Sequence, residues 1–312
     1  MATVAEQSLS PADFRSLYDR LRRSVPWGHD DRRGALNYIT PAMVVAAAGE
    51  VRTGRTVSLE ALVQHDPAID NPDPWSRELT GPAENVVKDT GLTFALDRMS
   101  LNVHGDADSH MDALCHVIFD GTMYNDVDAN AVRSFGAGGL SIEVAGQGVA
   151  GRGVLLDIPL TRGVDWLEPG EHVTADDLIA AEKAEGVRAE AGDLLFVRVG
   201  HRRRRHEVGP WDAASARAGL HPALLELLAE RQVALLGSDG NNDTAPSIVP
   251  DVDFPVHVLG VRALGLHLLD YLRFEELVTV CEAESRWSFM CMIAPLRVPS
   301  GTGSPINPIA LF

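Results

Sequence analysis

Residues 101–125 read LNVHGDADSHMDALCHVIFDGTMYN, and three histidines and three aspartates fall between positions 104 and 116. Imidazole and carboxylate are the groups that borderline divalent ions take as ligands, so this density points to a metal site. His110 and Asp112 stand two apart. On an extended segment they project to the same side, because side chains alternate across a strand. His116 stands four beyond Asp112 and returns to that side if the chain turns into a helix there. The stretch therefore predicts a strand ending in a turn at the rim of a sheet, with the site at that end. Asp120, in the Asp-Gly turn that follows, shapes the loop. The competing reading is a polar loop whose aspartates cap turns.

Outward from this stretch, helix and strand signals mix. Ser10-Pro11-Ala12-Asp13 starts a helix, with Ser10 as N-cap and Asp13 at N3. Phe14, Leu17, Tyr18 and Leu21 give it one apolar face. A second helix follows Thr40-Pro41 and runs to near Gly54. A third is capped by Thr174 and stops near Gly186. Two more are expected over 221–231 and 274–285. Strand-like runs occupy 56–63, 92–105, 151–158, 193–200, 233–239 and 289–298. Several are apolar throughout, as strands covered on both faces are. This is a mixed α/β chain, read as one domain over 1–312 with residues 1–55 as a helical N-terminal arm.

Composition narrows the function. The chain has 312 residues, 45% of them hydrophobic, enough for a sizeable core. A net charge of −17 disfavours nucleic acid and anionic lipid as partners. No apolar run reaches the roughly 20 residues of a membrane span, and the N-terminus lacks a signal-peptide pattern. Three widely spaced cysteines, Cys115, Cys281 and Cys291, suggest no disulfide framework. A cytoplasmic location is expected. Cys115 adjoins His116, but sequence neighbours tend to point apart and no oxyanion motif accompanies them, so it reads as a small buried hydrophobe. HRRRR (201–205) is the one positive island. It could attract a carboxylate, with a solvated loop as the safer reading.

HGDADSHMDALCH resembles the signature His-x-Gly-Thr-His-x-Asp-x-Pro-x-His of the metal-dependent cyclase-type hydrolases, the family of bacterial kynurenine formamidase and isatin hydrolase. Ser109-His110-x-Asp112-x-x-x-His116 matches its second half. Trp27-Gly28-x-Asp30-Asp31, Gly34-Ala35-Leu36-Asn37, Gly163-Val164-Asp165-Trp166-Leu167, Gly237-Ser238-Asp239, Ala294-Pro295-Leu296 and Gly301-Thr302-Gly303-Ser304-Pro305 resemble the longer members. The resemblance implies a swivelling β/β/α fold and a homodimer or homotetramer. It also implies hydrolysis by a metal-bound hydroxide, the ion being zinc or manganese. His110 and Asp112 would be ligands and His116 the general base, with a further ligand role as its alternative. The first family histidine falls on Asp106 at strict spacing, or on His104 if two residues are inserted. Leu114 replaces the usual proline. His257 and Asp270 are the best matches to the histidine and glutamate of a second metal site, and aspartate is shorter by one methylene. Asp239 is expected to line the pocket, with a plain polar turn over GSDGNND as its rival. Trp27, Trp166 and Trp211 are candidates for contact with a planar substrate, Trp27 foremost, with core packing as the competing role. The implied activity is opening of an amide, cyclic amide or lactone of a small molecule, aromatic ones included. The alternatives are a cyclase or dehydratase of secondary metabolism, and a non-catalytic metal-binding protein.

Overall fold

The computed structural model describes residues 8–80, 90–133, 136–137 and 139–312. A nine-stranded mixed sheet runs through the core in the order 56–58, 309–311, 288–293, 149–157, 194–198, 235–238, 267–270, 110–112, 303–305. Val149–Asp157, Leu194–Arg198, Leu235–Ser238 and His267–Asp270 are parallel neighbours. The apolar runs foreseen at 151–158, 193–200 and 233–239 supply three of them. Leu194–Arg198 and Leu235–Ser238 are buried at every position, as strands covered on both faces must be. His267–Asp270 is a strand that its sequence did not announce. It carries the antiparallel His110–Asp112 strand beside it, with Asp270 opposite His110.

The helices obey their capping signals. Pro11–Ser24 starts where Ser10 Oγ accepts from the Asp13 amide at 3.1 Å. Its predicted face, Phe14, Leu17, Tyr18 and Leu21, is buried in the same core as the sheet. Burying side chains of this size contributes roughly 1.5–3 kcal/mol each. That face packs on the π-helical turn Val258–Leu264, which follows Pro255–His257. Below it, Gly34 meets Gly265 so closely that a Cβ on Gly34 would fall 2.1 Å from the Gly265 oxygen. The arm is thus moored to the segment that carries His257. Residues 1–7 of the arm lie outside the described residues. Ala175–Glu185 has a full capping box between Thr174 and Asp177, and Gly186 ends it at φ +67°.

Several boundaries differ from expectation. The second helix ends at Ala48, not near Gly54. Beyond it, the Thr53 and Gly54 amides donate to the carbonyl of Phe312 at 2.9 and 2.7 Å, so this segment serves the chain terminus instead. The strand expected over 92–105 is shortened to Leu96–Ser100. It pairs antiparallel with Ser76–Thr80 in a separate two-stranded sheet rather than joining the main sheet. The HRRRR run is no solvated loop. It opens the helix His201–Val208, and Arg202 is buried. Its guanidinium donates to the carbonyls of Ala107 (2.7 Å), Leu272 (3.2 Å) and Tyr271. Buried carbonyls in irregular backbone need donors, and this arginine supplies them. Among the described residues, no helix is long and apolar enough to cross a membrane.

Candidate metal centre

Asp112 is the hub. It sits at the end of the His110–Asp112 strand and is 1% exposed. Four imidazoles converge on its carboxylate. His104 Nδ1 lies 3.0 Å from Oδ1, His110 Nε2 3.7 Å and His116 Nε2 4.0 Å from the same oxygen. His257 Nε2 lies 3.3 Å from Oδ2 and 3.4 Å from Oδ2 of Asp270. Potential ligand atoms of His104, His110 and Asp112 lie within 4.8 Å of one another, and so do those of Asp112, His257 and Asp270. The two groups share Asp112.

Neighbouring groups orient these rings. His110 Nδ1 is 2.9 Å from the Asp108 carbonyl, which can only accept, so Nδ1 carries the proton. His257 Nδ1 is 2.6 Å from Asp243 Oδ2 and is likewise a donor. Both Nε2 atoms then turn toward carboxylate oxygens. Asp243 also accepts the Val256 and His257 amides at 2.6 and 3.0 Å, which fixes the start of the His257 turn. Asn241 Nδ2 donates to Asp270 at 2.9 Å, and the Asn242 amide donates at 3.2 Å. His104 Nε2 is 3.1 Å from Thr302 Oγ1. The next residue, Gly303, allows this approach: a Cβ there would come within 2.7 Å of the His104 ring.

Asp112 Oδ2 is buried and accepts no hydrogen bond, with His257 Nε2 3.3 Å away. A buried carboxylate charge requires positive charge close by. Burial alone would raise the Asp112 carboxyl, yet His116, His104, His257 and His110 hold it well below its ordinary range. Burial alone would lower His257, yet Asp112, Asp243 and Asp270 push it well above. A neutral His257 would aim its Nε2 lone pair at two carboxylates. Asp112, His257 and Asp270 would hold a divalent ion, which would supply the positive charge there, and the imidazole–carboxylate donor set fits such an ion.

His116 differs from the other three. It stands in the turn after the strand, where its amide donates to Ala113 at 2.9 Å, and no helix forms there. Its ring stacks on that of His104 with centroids 3.8 Å apart. Burial foremost pushes it down to about 4. A cavity of about 580 Å³ opens over the cluster, and His104, His110, His116, His257 and Asp270 reach it.

Two residues expected at the pocket, Asp239 and Trp27, do not line it, and of the two positions left open for the first family histidine only His104 joins the cluster. Asp106 is not in the cluster; it accepts the Tyr271 hydroxyl at 2.7 Å, and His104 occupies the position beside Asp112. Asp239 does not line the cavity. It is fully buried, accepts the Val199 amide at 2.7 Å, and burial pushes it up to about 6. Coming directly after the Leu235–Ser238 strand, it turns toward the neighbouring strand end, and the site is reached two to four residues later by Asn241 and Asp243. Trp27 also lies away from the cavity, its ring 5.0 Å from that of Tyr38. Trp166 donates to Glu168, and Trp211 stacks under Arg204. Conversely, Asp270 is long enough to reach His257. Cys115 is buried with its thiol pushed up to about 11, as befits a small hydrophobe.

Residues 64–242 match the Cyclase family profile. The chain belongs to that family, as the 104–116 motif suggested. Among curated proteins none matches this sequence. A crystal structure described as a novel cyclase is 30% identical, covers 95% of this chain and 99% of its own, and superposes with a TM-score of 0.84. Isatin hydrolase A from Ralstonia solanacearum is 22% identical over 87% of this chain and 97% of its own, with a TM-score of 0.59. A predicted metal-dependent hydrolase from Bacillus stearothermophilus is 14% identical over 83% and 98%, with a TM-score of 0.50. At the last two identities the likeness is one of fold. The mixed α/β architecture described above is the fold of the cyclase family.

Proposed function

We propose that this protein is a metal-dependent hydrolase that opens an amide, cyclic amide or lactone in a small apolar molecule. The observation that carries the reading is the Asp112 carboxylate: buried, ringed by four imidazoles that themselves line a cavity, with one oxygen lacking a donor. His104, His110 and Asp112 would hold one divalent ion, and Asp112, His257 and Asp270 a second. Such an ion acidifies water to a pKa near 7 and polarises a carbonyl oxygen. The isatin hydrolases and the Bacillus stearothermophilus protein lend support by fold alone.

The chain's own groups divide the remaining work. Asp243 holds the His257 ring by Nδ1, and Asn241 and Asn242 hold Asp270, so the ligand atoms need little reorganisation. His116, facing the cavity, takes a proton from the attacking water and returns it to the leaving nitrogen or oxygen. Phe119 and Phe254 cover the cavity's apolar side and limit water there.

Turnover in ¹⁸O-labelled water tests the reaction type. Hydrolysis predicts one solvent oxygen in the product carboxylate, read by mass spectrometry. Ring closure or dehydration leaves the product unlabelled, and that result would replace the hydrolase reading with a lyase.

A further inference from the structure

The cavity above the metal centre has two unlike sides. Val117, Ile118, Phe119, Val252, Phe254 and Val258 make one side apolar. The charged groups lining it, apart from the Asp112-centred cluster, are Asp106, Asp251 and Asp253. Among the described residues, no lysine or arginine lines it. Asp106 is engaged by Tyr271 at 2.7 Å. Asp251 and Asp253 are exposed and flank Val252, just before the Pro255–His257 turn. Two arginines stand behind lining rings: Arg15, 5.6 Å from the Phe119 ring and paired with Asp120, and Arg217, 5.2 Å from the Phe254 ring. Arg217 is buried and donates to the carbonyls of Asp243 and Ala213, both at 2.9 Å, rather than to the cavity. A ligand entering past Asp251 and Asp253 therefore meets apolar surface and negative charge together, on a chain whose net charge is −17.

We propose that Asp251 and Asp253, at the rim of this cavity, disfavour substrates that carry a negative charge away from the group facing the metal centre, so that apolar substrates with a neutral or cationic distal end are selected. The inference rests on the hydrolase reading for the existence of a substrate and adds its charge class.

Equilibrium binding to the metal-loaded protein tests this without requiring turnover. The probes are benzamide, 4-(aminomethyl)benzamide and 4-carbamoylbenzenesulfonate, the last chosen because a sulfonate is a poor metal ligand. The sulfonate should bind at least about fivefold more weakly than benzamide, and the ammonium probe at least as tightly as benzamide. Salt at about 1 M should narrow the gap, because these charges are exposed to solvent. In the double variant Asp251→Asn/Asp253→Asn the affinities of the three probes should converge to within about twofold. A sulfonate that binds as well as benzamide, a gap unchanged in the variant, or no measurable binding of any probe overturns the inference. The expected ranking without hydrolysis counts against the proposed function alone; hydrolysis without the ranking counts against this inference alone.

Discussion

Replacing Asp112 by alanine is expected to strip the protein of its metal and to lower turnover by at least about 10³-fold. That is the scale on which groups stabilising transition-state charge act. The expectation is larger here than for any single histidine, because Asp112 belongs to both potential ligand groups. His110→Ala removes a member of one group and should lose the ion of that group together with activity. Elemental analysis of the purified variants, beside the wild type, gives the answer. The Asp112 side chain is 1% exposed, so alanine leaves a void under four rings. Asp112→Asn keeps the shape and removes the charge, and it should be metal-poor as well. Full metal occupancy in the asparagine variant would remove Asp112 from the ligand set.

His116→Ala should behave in the opposite way: folded, metal-loaded and slow. A positioned acid–base group typically contributes 10²–10⁴-fold, and kcat should fall by about that factor. The distinction follows from geometry. His116 stacks on His104 and faces the cavity at 4.0 Å from Asp112, and it belongs to neither close group of ligand atoms. Single-turnover rate and metal content must be measured on the same preparation. A metal-free variant makes His116 a ligand. A variant with full metal and full rate removes it from the mechanism.

How much of this was legible in the sequence depends on how local the cause was. The His110–Asp112 strand follows from two-residue spacing, and the buried face of Pro11–Ser24 from helical spacing. Both are properties of a few neighbouring residues. The Asp243–His257 pair is not, because it depends on where the loop after Leu235–Ser238 lands relative to a turn that begins at Pro255. GSDGNND was visible as a polar segment after a buried strand. Choosing Asp243 over Asp239 within it required knowing which way the chain leaves the sheet.

Two other misreadings have the same origin. A run of four arginines looks solvated when its charges are counted. Arg202 is buried nevertheless, because carbonyls of residues 107, 271 and 272 surround it, and these meet only in the folded chain. The second helix stops early because Phe312, at the far end of the sequence, offers its carbonyl to Thr53 and Gly54. His257 and Asp270 lay beyond the reach of periodicity and were legible only through family resemblance. What makes Asp270 a neighbour of His110 is the register of the His267–Asp270 strand, which sets the two opposite each other.

The central claim is that the Asp112 cluster is a metal centre. Anomalous diffraction from crystals grown with zinc or manganese tests it most directly. An anomalous peak is predicted at about 2.0–2.2 Å from an Asp112 oxygen and from nitrogens of the surrounding histidines. Well-ordered His104, His110, Asp112 and His257 side chains with no peak among them would contradict the account.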